Sequence, residues 1–179
     1  AILPYVPANL LCTAFPLRVI IEGEGSNSWE FWLYPSQTET PQLAKDVYLS
    51  DTLDNRALET LKKGGKVLLT AAGRITMGDD IKQHYLPVFW NTSWFKMRPP
   101  HITGTCIDNT HPLFKNFPTD NWANLNWWEL LNNAQVINLQ DFPSDYQPAI
   151  QPIDTWHISR KIGMMAETNI EGGGKLLVT

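Results

Sequence analysis

The stretch Val47–Ala71, VYLSDTLDNRALETLKKGGKVLLTA, decides the reading of the fold. Val47–Ser50 is a short β-prone run, and Asp51 or Thr52 is placed to cap a helix in which Ala57, Leu58 and Leu61 share one face. Gly64-Gly65 stops that helix. Lys66–Ala71 is then nearly all apolar, the pattern of a strand covered by helices on both faces. Strand, helix and strand in succession make a βαβ unit, with a right-handed crossover and two parallel strands in one sheet.

Downstream, strands are expected at His101–Cys106, Val136–Leu139, Lys161–Glu167 and Lys175–Thr179, with a helix over Trp122–Asn132. The last two strands read as a hairpin around Asn169–Gly174, and Gly172-Gly173-Gly174 as a flexible turn and not a phosphate loop, since no helix follows it. The segment from Ala72 to Pro100 has no clear period and reads as a docking or functional loop. Upstream, Arg18–Glu24 and Trp29–Tyr34 read as a hairpin turning at Gly25–Ser28. An isolated hairpin is marginal in water, so its Trp29, Phe31 and Leu33 face is expected to pack on the rest of the chain or to pair with a second copy, with Trp32 and Tyr34 on the other face. After Pro35 the polar stretch SQTETPQLAKD reads as a linker. The expected organisation is therefore a β-hairpin segment with linker over residues 1–40 and an α/β domain over 41–179. The expected architecture is a flavodoxin-like three-layer sandwich with an antiparallel edge.

Composition narrows the function. The chain has 179 residues, 43% of them hydrophobic and 18% charged, enough to bury one core and too apolar for a disordered chain. A formal net charge of −4 and a pI near 5.5 argue against a nucleic-acid partner, and Lys62-Lys63 and Arg160-Lys161 read as ordinary solvated ends of elements. No apolar run has the length of a membrane helix, and the first residues lack the basic region of a signal peptide. The chain starts at Ala1 and not at Met, which reads as a processed product or a piece of a longer protein. Cys12 and Cys106 do not make a disulfide framework.

Cys106 ends an expected strand, where a nucleophile can stand on a sharp elbow. Gly104 suits such an elbow, but Asp108 stands where a second small residue belongs, and Asn109-Thr110-His111-Pro112 reads as a turn, so Cys106 is expected to be a buried small hydrophobe. His84, His101, His111 and His157 show no metal-ligand spacing, and neither a metal nor another cofactor is expected. His111 reads as fixing the turn after the strand. Glu167, a carboxylate in an apolar strand, must be paired or lie at a sheet end. The eight tryptophans are the compositional oddity. Trp90, Trp94, Trp122 and Trp127 are the candidates to reach the C-terminal edge of the parallel strands and stack on a carbohydrate.

Five segments, SWEFWLYPS, KKGGKVLLTAAG, YLPVFWNTSWF, GTCIDNTHPLFKNFPTDNW and RKIGMMAETNIEGGGKLLVT, together cover much of the chain. They resemble the C-terminal region of large bacterial proteins of glycoside hydrolase family 2, often called β-galactosidase-like. The resemblance implies a glutamine-amidotransferase-like domain that has lost its catalytic residues and follows β-sandwich domains. It implies a non-catalytic accessory or structural module whose partners are the other domains of a parent glycoside hydrolase, in glycan breakdown in the periplasm or outside the cell. The alternative is an amidotransferase-like or hydrolytic enzyme using Cys106 with His111 or His157.

Overall fold

The computed structural model describes residues 13–34, 42–81, 83, 102–132, 134–155 and 158–179. Thr13–Ile21 (β1) and Gly25–Leu33 (β2) form an antiparallel hairpin in which Leu17 faces Trp29 and Phe15 faces Phe31. The turn is Glu22–Glu24, earlier than expected, because Gly23 takes the positive φ (81°) that the reversal needs. Gly25 and Ser26 consequently pair with Ile21 and Ile20. Strand alternation then gathers Phe15, Leu17, Val19, Ile21, Trp29, Phe31 and Leu33 on one face. Arg18, Ser26, Ser28 and Glu30 fall on the other, where Arg18 Nη2 donates to Ser26 Oγ at 2.9 Å.

The strand, helix and strand form in the order read, with the two strands parallel. Val47–Ser50 (β3) runs parallel to Lys66–Leu69 (β4), with Asn55–Lys62 (α1) between them. The cap is Asp54, not Asp51 or Thr52: its carboxylate accepts from the Ala57 N–H at 2.7 Å and from the Tyr48 hydroxyl at 2.9 Å. The Ala57 hydrogen bond is the main reason that the Asp54 carboxyl sits below its ordinary value. Ala57 and Leu61 are buried against Val67, Tyr48, Ile170 and Leu176, whereas Leu58 is exposed.

The remaining elements are short. Ile102–Ile107 (β5) pairs antiparallel with Ile150–Asp154 (β7), and Ile137–Asn138 (β6) with Ile162–Gly163 (β8). Two 3₁₀ turns, Pro112–Phe114 and Leu125–Trp127, precede a single helical turn at Trp128–Leu131 (α2). Ala166–Asn169 (β9) and Lys175–Val178 (β10) complete the main sheet in the order β3-β4-β10-β9, with β10 parallel to β4 and antiparallel to the edge strand β9.

This arrangement corrects the expected flavodoxin-like sandwich. Of the described residues 37% lie in strands and 13% in helices, spread over several small sheets. A three-layer sandwich needs helices on both faces of one sheet, and among the described residues α1 is the single crossover helix. The expected helix over 122–132 shrinks because Trp122 forms a β-bridge with Cys106 and the Asn124 side chain caps a 3₁₀ turn at Leu125. The expected strand over 161–167 divides at Met164 into β8 and β9, which belong to different sheets. The second face of the main sheet is instead met through Leu177, which packs against a cluster containing Ile107, Phe114, Trp127, Leu131 and Ile150.

The β9–β10 turn is more than a flexible connector. Ile170 N–H donates to Gly174 O at 2.7 Å, and a Cβ on Gly174 would overlap the backbone of Leu61 at the end of α1. The absence of a side chain there lets helix and turn meet, so Gly174→Ala is expected to cost about 1–3 kcal/mol through overpacking against an unyielding backbone. Urea unfolding measures this, and a midpoint unchanged from the parent would contradict it.

Candidate functional site

Beyond the ends of β4 and β10 the chain runs into Ala71 and Thr179, whose backbones are joined by an Ala71 N–H to Thr179 O hydrogen bond of 2.8 Å. These residues form one side of a cavity of about 480 Å³. Phe114, Phe117, Trp127 and Leu131 line it from the 3₁₀ turns and α2, with Ile150 and Met164 beside them. The Phe117 and Phe114 rings meet the Trp127 indole edge to face, with centroids 4.8 and 5.5 Å apart. Gln135 is the polar side chain in the lining with its groups engaged: Nε2 donates to Ile75 O at 2.5 Å and Oε1 accepts from Gly73 N–H at 3.2 Å.

The cavity lies at the sheet edge where a ligand was expected. Of the four tryptophans, Trp127 reaches it as wall: it is 2% exposed and its indole N–H donates to Thr119 Oγ1 at 2.8 Å. Trp122 is 50% exposed beside Cys106, away from the cavity lining. Trp90 and Trp94 lie outside the described residues.

Cys106 is a free, exposed thiol, not the buried small hydrophobe expected. In β5, Thr105 and Ile107 point inward, so Cys106 takes the outward face opposite Gln151. Asp108, which breaks the elbow pattern, accepts from the Thr110 hydroxyl and N–H at 2.6 and 3.1 Å. Those two bonds hold its carboxyl below the ordinary range and build the turn. His111 follows, and its partner is Glu167 on β9, not Cys106: Nε2 lies 3.0 Å from Glu167 Oε1. The Leu113 N–H points at His111 Nδ1 at 3.3 Å, and a backbone N–H only donates, so the neutral ring carries its proton on Nε2 and gives it to the carboxylate. Both ring nitrogens are thus engaged in tying the turn to the sheet edge, where the Tyr146 hydroxyl also accepts from the Glu167 N–H at 2.8 Å. His84, His101 and His157 lie outside the described residues. Among the described residues no group of three or more His, Cys, Asp or Glu is placed to hold a metal.

Residues 48–179 match the family described as a domain of unknown function, DUF8487. The chain belongs to that family. The match begins inside β3 and ends at the last residue, so the cavity, Cys106 and the His111–Glu167 pair all lie within the DUF8487 region, and the β1–β2 hairpin precedes it. A comparison with curated proteins finds no match.

The DUF8487 region also holds a buried ion pair that sequence reading missed. Arg160 was read as solvated, yet its Nε donates to Asp154 Oδ2 at 2.8 Å, with the Asp154 side chain 1% exposed. The Arg160 and Thr155 backbone N–H groups donate to the same carboxylate at 2.9 and 2.8 Å, and Asp80 approaches the guanidinium at 3.6 Å. Burial pushes the Asp154 carboxyl up, but the Arg160 and Thr155 hydrogen bonds and the Arg160 charge outweigh it, leaving it below its ordinary value of 3.8. The one signal available in the sequence was an aspartate closing the apolar run IQPID.

The pair fastens the loop after β7 to the loop carrying Asp80. Removing one partner of a buried pair costs about 3–5 kcal/mol, so Asp154→Asn is expected to lower the urea midpoint strongly at neutral pH. Because the folded value is depressed, the contribution is complete above 3.8 and is lost as pH falls below it toward the folded value. Parent and variant should therefore converge on acidification, and a gap that stays constant through acid pH would contradict the assignment.

Proposed function

We propose that this chain is a non-catalytic accessory module of a larger carbohydrate-active enzyme, of the glycoside hydrolase family 2 type, acting in glycan breakdown outside the cytoplasm. The observation that carries the modular reading is the apolar face of the β1–β2 hairpin. Leu17, Val19, Ile21, Trp29 and Phe31 on that face are 45–63% exposed. On the other side Glu30 accepts from Asn124 Nδ2 at 3.2 Å, and Tyr34, just after β2, stacks on Phe117. A two-stranded sheet with one continuous uncovered apolar face is a surface for packing against a further layer. The carbohydrate setting rests on the resemblance of the five segments quoted above. The half-exposed Trp122 is the described tryptophan best placed to stack on a sugar.

A second reading is favoured by one observation, the exposure of Cys106. It makes Cys106 a nucleophile, yet the His111 beside it in sequence is already bonded to Glu167. Two measurements separate the readings. The accessory module releases no nitrophenol from a panel of nitrophenyl glycosides above the buffer blank, and its Cys106 reacts with a thiol probe no faster than free cysteine in the same buffer. Glycoside turnover, or labelling of Cys106 that is fast well below the pKa of a free thiol, about 8.5, would overturn the proposal. Replacing the facing pair Leu17 and Trp29 by threonine is expected to reduce self-association in light scattering and to leave stability within about 0.5 kcal/mol, as for other surface changes.

A further inference from the structure

We infer that the cavity between the ends of β4 and β10 and the Phe114–Trp127 aromatic wall is a binding site for a small, uncharged, apolar molecule, aromatic or alicyclic. The inference is independent of the hairpin and of the accessory reading. Its volume of about 480 Å³ falls in the range of small-molecule sites, about 300–1,000 Å³. The cavity opens to solvent past Leu113 and Leu130, so its apolar walls face water until a ligand covers them.

The lining specifies the chemistry. No side chain that lines the cavity is charged, and Gln135 and Thr179 are its polar side chains, so a charged ligand would be desolvated without an ion pair to any side chain. The Gln135 amide, which might have recognised a polar group, is already bonded at both ends to Ile75 and Gly73. Trp127 likewise spends its indole N–H on Thr119. A sugar would lose the hydrogen bonds of its hydroxyls there, whereas a hydrocarbon surface loses none. The aromatic rings Phe114, Phe117 and Trp127 and the thioether of Met164 offer polarizable contacts suited to another ring. Leu113 and Leu130 belong to the lining and are also more than half exposed, so they mark the mouth through which such a ligand enters.

The test uses the full chain and N-phenyl-1-naphthylamine, an uncharged apolar dye that fluoresces when it leaves water. Saturable binding at one site per chain is expected, with the same affinity at low and high salt because no charge takes part. Ala134→Phe and Ala72→Phe, which place a ring in the cavity, should weaken binding about tenfold or more, equivalent to about 1.4 kcal/mol. Leu130→Lys at the mouth should weaken it as well, and it covers the case in which Ala134→Phe fails to fold, which circular dichroism reports. The Leu17→Thr, Trp29→Thr variant controls for dye held by the hairpin and should bind like the parent. Absence of saturable binding would overturn the site. So would dye binding that survives all the cavity changes, or that disappears in the hairpin variant.

Discussion

The last strand pairs with a strand from the first half of the chain, and most of the fold depends on that pairing. β10 lies between β4 and β9, taking parallel hydrogen bonds from one side and antiparallel bonds from the other. Closing so long a loop costs chain entropy that local contacts cannot repay. The repayment comes from burying Leu176 with Val67 under α1 on one face and Leu177 with the aromatic cluster on the other. The same pairing brings Thr179 to Ala71 and Gly174 to the end of α1, so it creates both the cavity wall and the tight turn.

The polar groups inside this structure serve the loops. Asp154 and Arg160 tie the segment after β7 to the Asp80 loop, and His111 and Glu167 tie the turn after β5 to the sheet edge. In each pair the hydrogen-bonding capacity is directed at the protein's own backbone and side chains. The cavity beyond β4 and β10, by contrast, is walled mainly by apolar side chains.

The hairpin obeys a different constraint. Its register follows from local alternation and from the turn at Gly23. Two strands alone bury little, however, and such a hairpin is marginal unless one face is covered. Here Phe15 and Phe31 lie against each other, with ring centroids 6.1 Å apart, while Leu17, Val19, Ile21 and Trp29 on that face stay exposed. A face so apolar and free of charge is what a further packed layer would use.

The local elements were legible in the sequence because they rest on short-range rules: the alternation in β1 and β2, the Val47–Leu69 strand-helix-strand order, the glycine stop after α1, and the β9–β10 hairpin. Glu167 was legible as a carboxylate that had to be paired or lie at a sheet end, and it lies half exposed on the edge strand β9; His111 as its partner was not legible, because the two come from separate segments. What only the tertiary structure decided was the layer arrangement and the site. Trp122 and Trp127 look alike in sequence, yet a β-bridge to Cys106 leaves one half exposed while Phe114, Phe117 and Thr119 enclose the other. Cys106 turned outward because Thr105 and Ile107 claimed the inward face of β5. Arg160 went inward because a buried carboxylate at Asp154 required it. Which segments meet is settled by the competition of all apolar surfaces for one core, and no single stretch of sequence carries that information.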